Sequence, residues 1–291
     1  MVMKLDIGGL VVSALLSTVS LSIASAADLP VKALPPAAPV FSWTGCYIGG
    51  NAGGMVGSDR YSISAGGDFL LTGILSNPAN AALLNHSYTQ NPGAFTGGAQ
   101  IGCNYQSGNW VFGGEADINA TRLSTTTNTN FGPIGPFAGS GGLFASSHTE
   151  NVTNDLNWYS TFRGRIGFTP TPTWLLYVTG GLAVASINST SNLSYGADQF
   201  FISNHSFSGS TTQTRAGWAL GVGGEWAFAP KWSLKAEYLY MDFGTFSYAL
   251  QEPAGAGGNF IFNNSVRAQE QVFRVGVNYK FGWAGPVVAK Y

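Results

Sequence analysis

Nine charged side chains share one parity along alternating segments of the chain: Glu115, Asp117, Arg163, Arg165, Glu225, Lys235, Glu237, Arg274 and Lys280. Four are acidic and five basic, and their immediate neighbours are apolar, aromatic or glycine. Acids and bases gathered inside a narrow closed sheet must pair, because an unpaired buried charge costs several kcal/mol. Glu115 and Asp117 on one segment lie beside Arg163 and Arg165 on the next, so they are the first candidates for pairing. Such a network reads as a plug; the alternative is a narrow, charged pore. The two cysteines, Cys46 and Cys103, offer a second chemistry. An exported chain with an even pair of cysteines favours a disulfide, and antiparallel pairing of their two segments sets them at similar height on one face.

Other reactive groups form no recognisable constellation. His86, His148 and His205 lie in long links without a Cys or carboxylate cluster at ligand spacing, so no metal site is expected. The chain has no phosphate-binding G-x-x-x-x-G-K-S/T, no H-E-x-x-H and no G-x-S-x-G. Gly221, Gly223 and Gly224 sit inside a strand pattern and lead to no helix, so they are not a nucleotide loop. Neither enzyme nor cofactor is expected.

The elements that position the charges are strands. From Thr214 to Phe228, Trp218, Leu220, Val222, Gly224, Trp226 and Phe228 fall on one face, and Arg215, Gly217, Ala219, Gly221, Gly223 and Glu225 on the other. A face this small and glycine-rich suits the crowded interior of a narrow barrel, with the large apolar face turned to lipid. The same parity gives outward sets beginning at Cys46, Ala99, Trp110, Trp158, Trp174, Trp232 and Phe273, the last ending at Phe281. The expectation is therefore an all-β fold, an eight-stranded antiparallel transmembrane β-barrel. Three short connections (106–109, 169–173 and 229–231) alternate with four long ones, roughly 53–96, 119–156, 186–213 and 244–270, as in barrels with short periplasmic turns and long extracellular loops. Trp43, Trp110, Trp158, Trp174, Trp226, Trp232 and Tyr240 lie mostly near strand ends, where interfacial girdles belong.

Composition supports a membrane solvent. Only 9% of the 291 residues are charged, against roughly 25% in soluble domains, while 45% are hydrophobic, 13% aromatic, and 40 are glycine. A net charge of -1 argues against nucleic acid as a partner. Residues 1–26 carry Lys4, an apolar run from Ile7 to Ala24 and the small-residue close Ala24-Ser25-Ala26, the layout of a cleaved secretory signal. Residues 27–40 read as a Pro-rich periplasmic linker, 41–281 as the barrel, and 282–291 as a C-terminal extension. Past Ala26 no apolar run is long enough for a membrane helix, which leaves the closed barrel as the spanning solution.

Trp43-Thr44-Gly45 followed by Tyr47-Ile48-Gly49-Gly50-Asn51, then Phe162-Arg163-Gly164-Arg165-Ile166-Gly167, Glu237-Tyr238-Leu239-Tyr240 and Val277-Asn278-Tyr279-Lys280-Phe281, resemble the OmpA-like, opacity-type outer-membrane barrels of alphaproteobacteria. The resemblance implies an outer-membrane location, with outer-membrane lipid and lipopolysaccharide as surroundings. It also implies a surface or envelope-integrity role, or contact with a host or other surface ligand through the loops. The last strand resembles the signal read by the outer-membrane assembly machinery: Arg274, Gly276, Tyr279 and Phe281. Gly282 to Tyr291 follow it, so the terminal aromatic is either Phe281 or Tyr291.

Overall fold

The computed structural model describes residues 41–71, 74–76, 78–131, 148–195, 205–252 and 259–281. The expected signal, linker and C-terminal extension lie outside them. Eight antiparallel strands form a closed ring: β1 (Gly45–Gly57), β4 (Gly93–Ser107), β5 (Trp110–Phe131), β6 (His148–Thr171), β7 (Trp174–Tyr195), β8 (His205–Ala229), β9 (Trp232–Gln251) and β10 (Phe260–Phe281). The ring closes where Cys46 to Gly57 of β1 pair with Phe281 to Glu270 of β10. Between β1 and β4 run β2 (Asp59–Gly67), a short helix α1 (Pro78–Leu84) and β3 (His86–Gln90). β2 prolongs β1 beyond Ser58 and pairs with β10; β3 pairs with β2 and leads through Asn91 and Pro92 into β4.

The alternation of side chains sets what each face meets. Ile48, Ile101, Phe112, Phe162, Leu176, Leu220, Leu234 and Val275 are all exposed on the outer face, as a lipid-facing wall requires. At the end with short turns, Trp110 meets Phe168 at 5.6 Å, Trp174 meets Trp226 at 6.1 Å and Trp232 meets Tyr279 at 5.0 Å, forming one aromatic girdle. Trp43 does not join it. It is buried, and its Nε1 donates to the Pro172 carbonyl at 3.1 Å, so it closes the turn end of the lumen. Each of the three tight turns has two residues between strands; Gly108 occupies one at φ 59°, a left-handed conformation that favours glycine.

The long connections differ most from expectation. Much of 119–156, 186–213 and 244–270 is strand, because β5 to β10 continue well past the apolar band. Their hydropathy reverses there: Tyr61, Ile63, Leu123, Val152, Leu156, Phe207, Leu250 and Phe262 turn inward, while Thr, Ser and Asn face water. Irregularities mark the level of the reversal. Register shifts occur at Ala120/Leu123, Leu156/Trp158 and Arg267/Gln269, and β1 and β2 part at Ser58. Beyond this level the wall has two seams without a continuous ladder. Among the described residues β3 has no strand partner on its β5 side, and β8 and β9 are unpaired between Ser208/Gln251 and Trp218/Asp242.

Candidate functional site

The lumen at membrane level is filled by the charges whose parity pointed inward. Glu115 and Asp117 come from β5, Arg163 and Arg165 from β6, Glu225 from β8, Lys235 and Glu237 from β9, and Arg274 from β10. All eight are at most 5% exposed. Arg163 holds three carboxylates: Glu115 at 2.6 Å, Asp117 at 3.0 Å and Glu237 at 3.0 Å. Arg274 reaches Glu237 at 2.6 Å and Asp117 at 2.8 Å from the opposite wall. Lys235 meets Glu115 at 2.7 Å, and Arg165 meets Glu225 at 3.2 Å. Four acids thus face four bases, so the formal charges cancel, and the attraction offsets much of the desolvation that burying ions costs.

Neutral side chains complete the set. Tyr47 donates its hydroxyl to Glu115 at 2.6 Å and Tyr177 to Glu237 at 3.0 Å. Asn278 donates to Glu225 at 2.8 Å, and Thr161 to Asp117 at 2.7 Å. The Arg165 guanidinium lies between the Tyr47 and Tyr177 rings, 4.9 and 5.2 Å from their centroids, a double cation–π contact. The glycine-rich inner face makes this possible. Gly102 is directly opposite Tyr47 and Gly223 directly opposite Tyr177. At either glycine an added Cβ would collide with the tyrosine's phenol end, so the tyrosines lie flat across strands that carry no side chain there.

Lys280 is not part of the network. It stands near the end of β10, and its Nζ donates to the Ser42 carbonyl and lies 5.1 Å from the Phe41 ring centroid. It is in register opposite Tyr47 on the inner face, at the turn-end mouth of the lumen, with no carboxylate within ion-pair distance among the described residues. Arg274 and Gly276 of the expected assembly signal face the lumen, whereas Tyr279 and Phe281 face outward, with Phe281 opposite Cys46. Cys46 and Cys103 are directly opposed on β1 and β4 and form a disulfide.

Apolar layers above and below the charges were not anticipated. Toward the turns, Trp43, Val111, Leu175, Tyr177 and Ala227 pack together. Toward the loops, Met55, Tyr61, Leu123, Val152, Leu156, Tyr159, Leu239 and Met241 belong to a larger layer. A third, around Phe69, Phe207, Leu250 and Phe262, fills the tip. Among the described residues no three His, Cys, Asp or Glu side chains converge as a metal-binding group. His86 instead meets Glu150 at 2.9 Å, alongside the Tyr88 hydroxyl, which donates to Glu150 at 3.2 Å. No described helix is long and apolar enough to cross a membrane.

Comparison with known proteins agrees with this architecture. Residues 13–281 match the family model for the outer membrane protein beta-barrel domain. The chain is 33% identical over 263 residues to the 31 kDa outer-membrane immunogenic protein of Brucella melitensis, covering 89% of this chain and 93% of that protein. It is 27% identical over 250 residues to the 22 kDa outer membrane protein of Rhizobium leguminosarum, covering 84% and 82% respectively. Among solved structures, it aligns with the outer membrane protein OprG of Pseudomonas aeruginosa at a TM-score of 0.43 and 14% identity, over 84% of this chain and all of that one. With the family match spanning the whole ring of strands, the chain belongs to the outer membrane protein beta-barrel family, as an eight-stranded barrel of the outer membrane.

Proposed function

We propose that this protein is a non-conducting surface barrel with a structural role in the cell envelope, and not an enzyme. The observation that carries the reading is a lumen filled in successive layers: apolar side chains at the turn end, the paired charges, then apolar side chains again. A conducting pore needs a continuous wet path, and an ion crossing here would have to displace both paired charges and packed aromatics. The outer wall would be solvated by outer-membrane lipid and lipopolysaccharide, and the outward aromatics Tyr279 and Phe281 of β10 would engage the assembly machinery.

A loop-based binding role is the second reading. It is favoured by a polar cleft of about 440 Å³ beside the β3–β5 seam, lined by Ser87, Tyr88, Gln90, Thr125, Thr127 and Thr129. The Brucella relative is named as immunogenic, as a protein displayed at the cell surface would be. Planar-bilayer recording of the refolded protein tests the first reading. The expected result is a silent membrane or rare, small events; large, stable wild-type channels would overturn it in favour of a small-solute porin. Should the bilayer stay silent and surface attachment vanish on deleting the cleft segments from a barrel that still folds, the binding role would be added to the structural one.

A further inference from the structure

Asp59 and Glu270 are inward-facing carboxyls that stand apart from the charge network. Asp59 opens β2 and Glu270 sits on β10 opposite Gly57, both beyond the apolar band on the loop side. They are 6% and 1% exposed. Every carboxylate of the lower network meets a guanidinium or ammonium, whereas here no Lys, Arg or His is within ion-pair distance among the described residues. The hydrogen bond that reaches Asp59 is a long one, 3.4 Å from the Gln269 backbone N–H. Burial pushes the Asp59 carboxyl up to about 7, and burial together with the Asp59 charge pushes Glu270 well above the usual carboxylate range.

The two acids line a cavity of about 10 Å³, about the room that one water or one ion needs. Asn154 and Asp155 of β6 and Tyr61 of β2 line it as well, and the rest of its wall is apolar, with Leu123, Leu156 and Val266 among six such residues. Three oxygens there are buried with no hydrogen-bond partner: Glu270 Oε2, Asn154 Oδ1 and the Tyr61 hydroxyl. The Asn154 amide is oriented by its own Nδ2, which donates to Gln90 Oε1 at 3.2 Å and leaves Oδ1 for the cavity. Leaving such atoms unsatisfied costs about 1–3 kcal/mol each, so a small site with this much unmet acceptor capacity calls for a positive ligand. Carboxylate, amide and phenol oxygens without imidazole or thiol form the donor set of a hard cation.

We propose that Asp59, Glu270 and Asn154, with the Tyr61 hydroxyl, bind a hard divalent cation, calcium, at the outer rim of the barrel. The ion would tie the β2 extension and β10 to β6 across the interior, just where the regular ladder gives way to breaks and register shifts. Protein refolded from inclusion bodies, free of lipopolysaccharide and stripped with EDTA, should bind calcium chloride at one site per chain by titration calorimetry at pH 7.5. Calcium should also raise the temperature at which the folded gel band disappears. Glu270→Gln and Asp59→Asn should each weaken that binding by at least about tenfold, since each removes one carboxylate charge from the site. Both variants should still fold, judged by their heat-dependent gel migration. No calcium heat in the wild type, or binding that survives unchanged in both variants, would overturn the proposal; the second result would place the ion elsewhere. Should either variant fail to fold, Asn154→Ala, which keeps both acids, takes its place with the same expected direction.

Discussion

Arg163 is surrounded by Glu115, Asp117 and Glu237, so truncating it leaves three buried carboxylates short of a partner at once. Arg163→Ala should cost about 3–5 kcal/mol in urea unfolding followed by tryptophan fluorescence, the range for breaking a buried pair; a wild-type midpoint would show that the network is not structural. Arg163→Ala with Arg165→Ala should raise bilayer conductance and favour cations, because Glu115 and Asp117 would then line a wetter, unneutralised passage. The upper acids behave oppositely with pH. A carboxyl whose folded pKa is raised stabilises the fold while protonated. In EDTA, therefore, the contribution of Asp59 and Glu270 should be complete below about pH 4 and be lost as pH rises through about 7 for Asp59. The titratable groups facing this pair are Tyr61 and Asp155. Asp59→Asn with Glu270→Gln should flatten that slope in urea midpoints measured from pH 5 to 8. Strand parity put Glu115 and Asp117 beside Arg163, but not Glu237, which reaches it from β9. It also turned Lys280 inward, where the side chain meets Ser42 and Phe41 at the turn end instead of a carboxylate, and it could not find Asp59 and Glu270, which fall where the lipid-facing pattern has stopped.

Pairing of tyrosine with glycine across adjacent strands makes the inner face sensitive to any added side chain. Gly223→Val should displace Tyr177 from Glu237 and Arg165 and cost about 1–3 kcal/mol, the usual penalty of overpacking. Gly164→Val, on the lipid-facing side with nothing within 4 Å of its Cβ position, should be close to neutral in the same unfolding assay. Equal effects at the two positions would remove the distinction between faces. At membrane level every strand was legible, since apolar-out alternation recurs from Cys46 to Phe281. Above it the same strands carry the opposite pattern. Leu123, Val152 and Leu156 point in while Thr126 and Thr153 share a hydrogen bond at 3.0 Å outside. Parity itself slips at Asn157, next to the register shift in β6, and again around Gly244, which sits at φ 72° in β9. A reading that follows lipid-facing residues therefore ends each strand early and assigns the remainder to loops.

The closed ring leaves no edge at membrane level from which unfolding can begin, so the folded protein should resist detergent until heated and then migrate differently on a gel. A folded preparation lacking that shift would contradict ring closure. The Cys46–Cys103 disulfide lies within the ring and spans 57 positions of sequence, including the irregular segment around α1. Cys46→Ser with Cys103→Ser should leave the barrel able to form yet lower the temperature of the shift, and alkylation of the unreduced wild type should find no free thiol. Ring closure and the disulfide both follow from sequence, whereas the height of the wall does not. β6 has 24 residues and β8 has 25. At about 3.3 Å per residue and a tilt of about 40° such strands rise roughly 60 Å, of which the lipid takes about 25 Å. Roughly 35 Å of these longest strands then stands clear of the bilayer, in a wall interrupted by the two seams. The far ends of β6, β7 and β8 are thereby carried well away from the lipid headgroups, as a collar standing on an inserted base whose charges are matched.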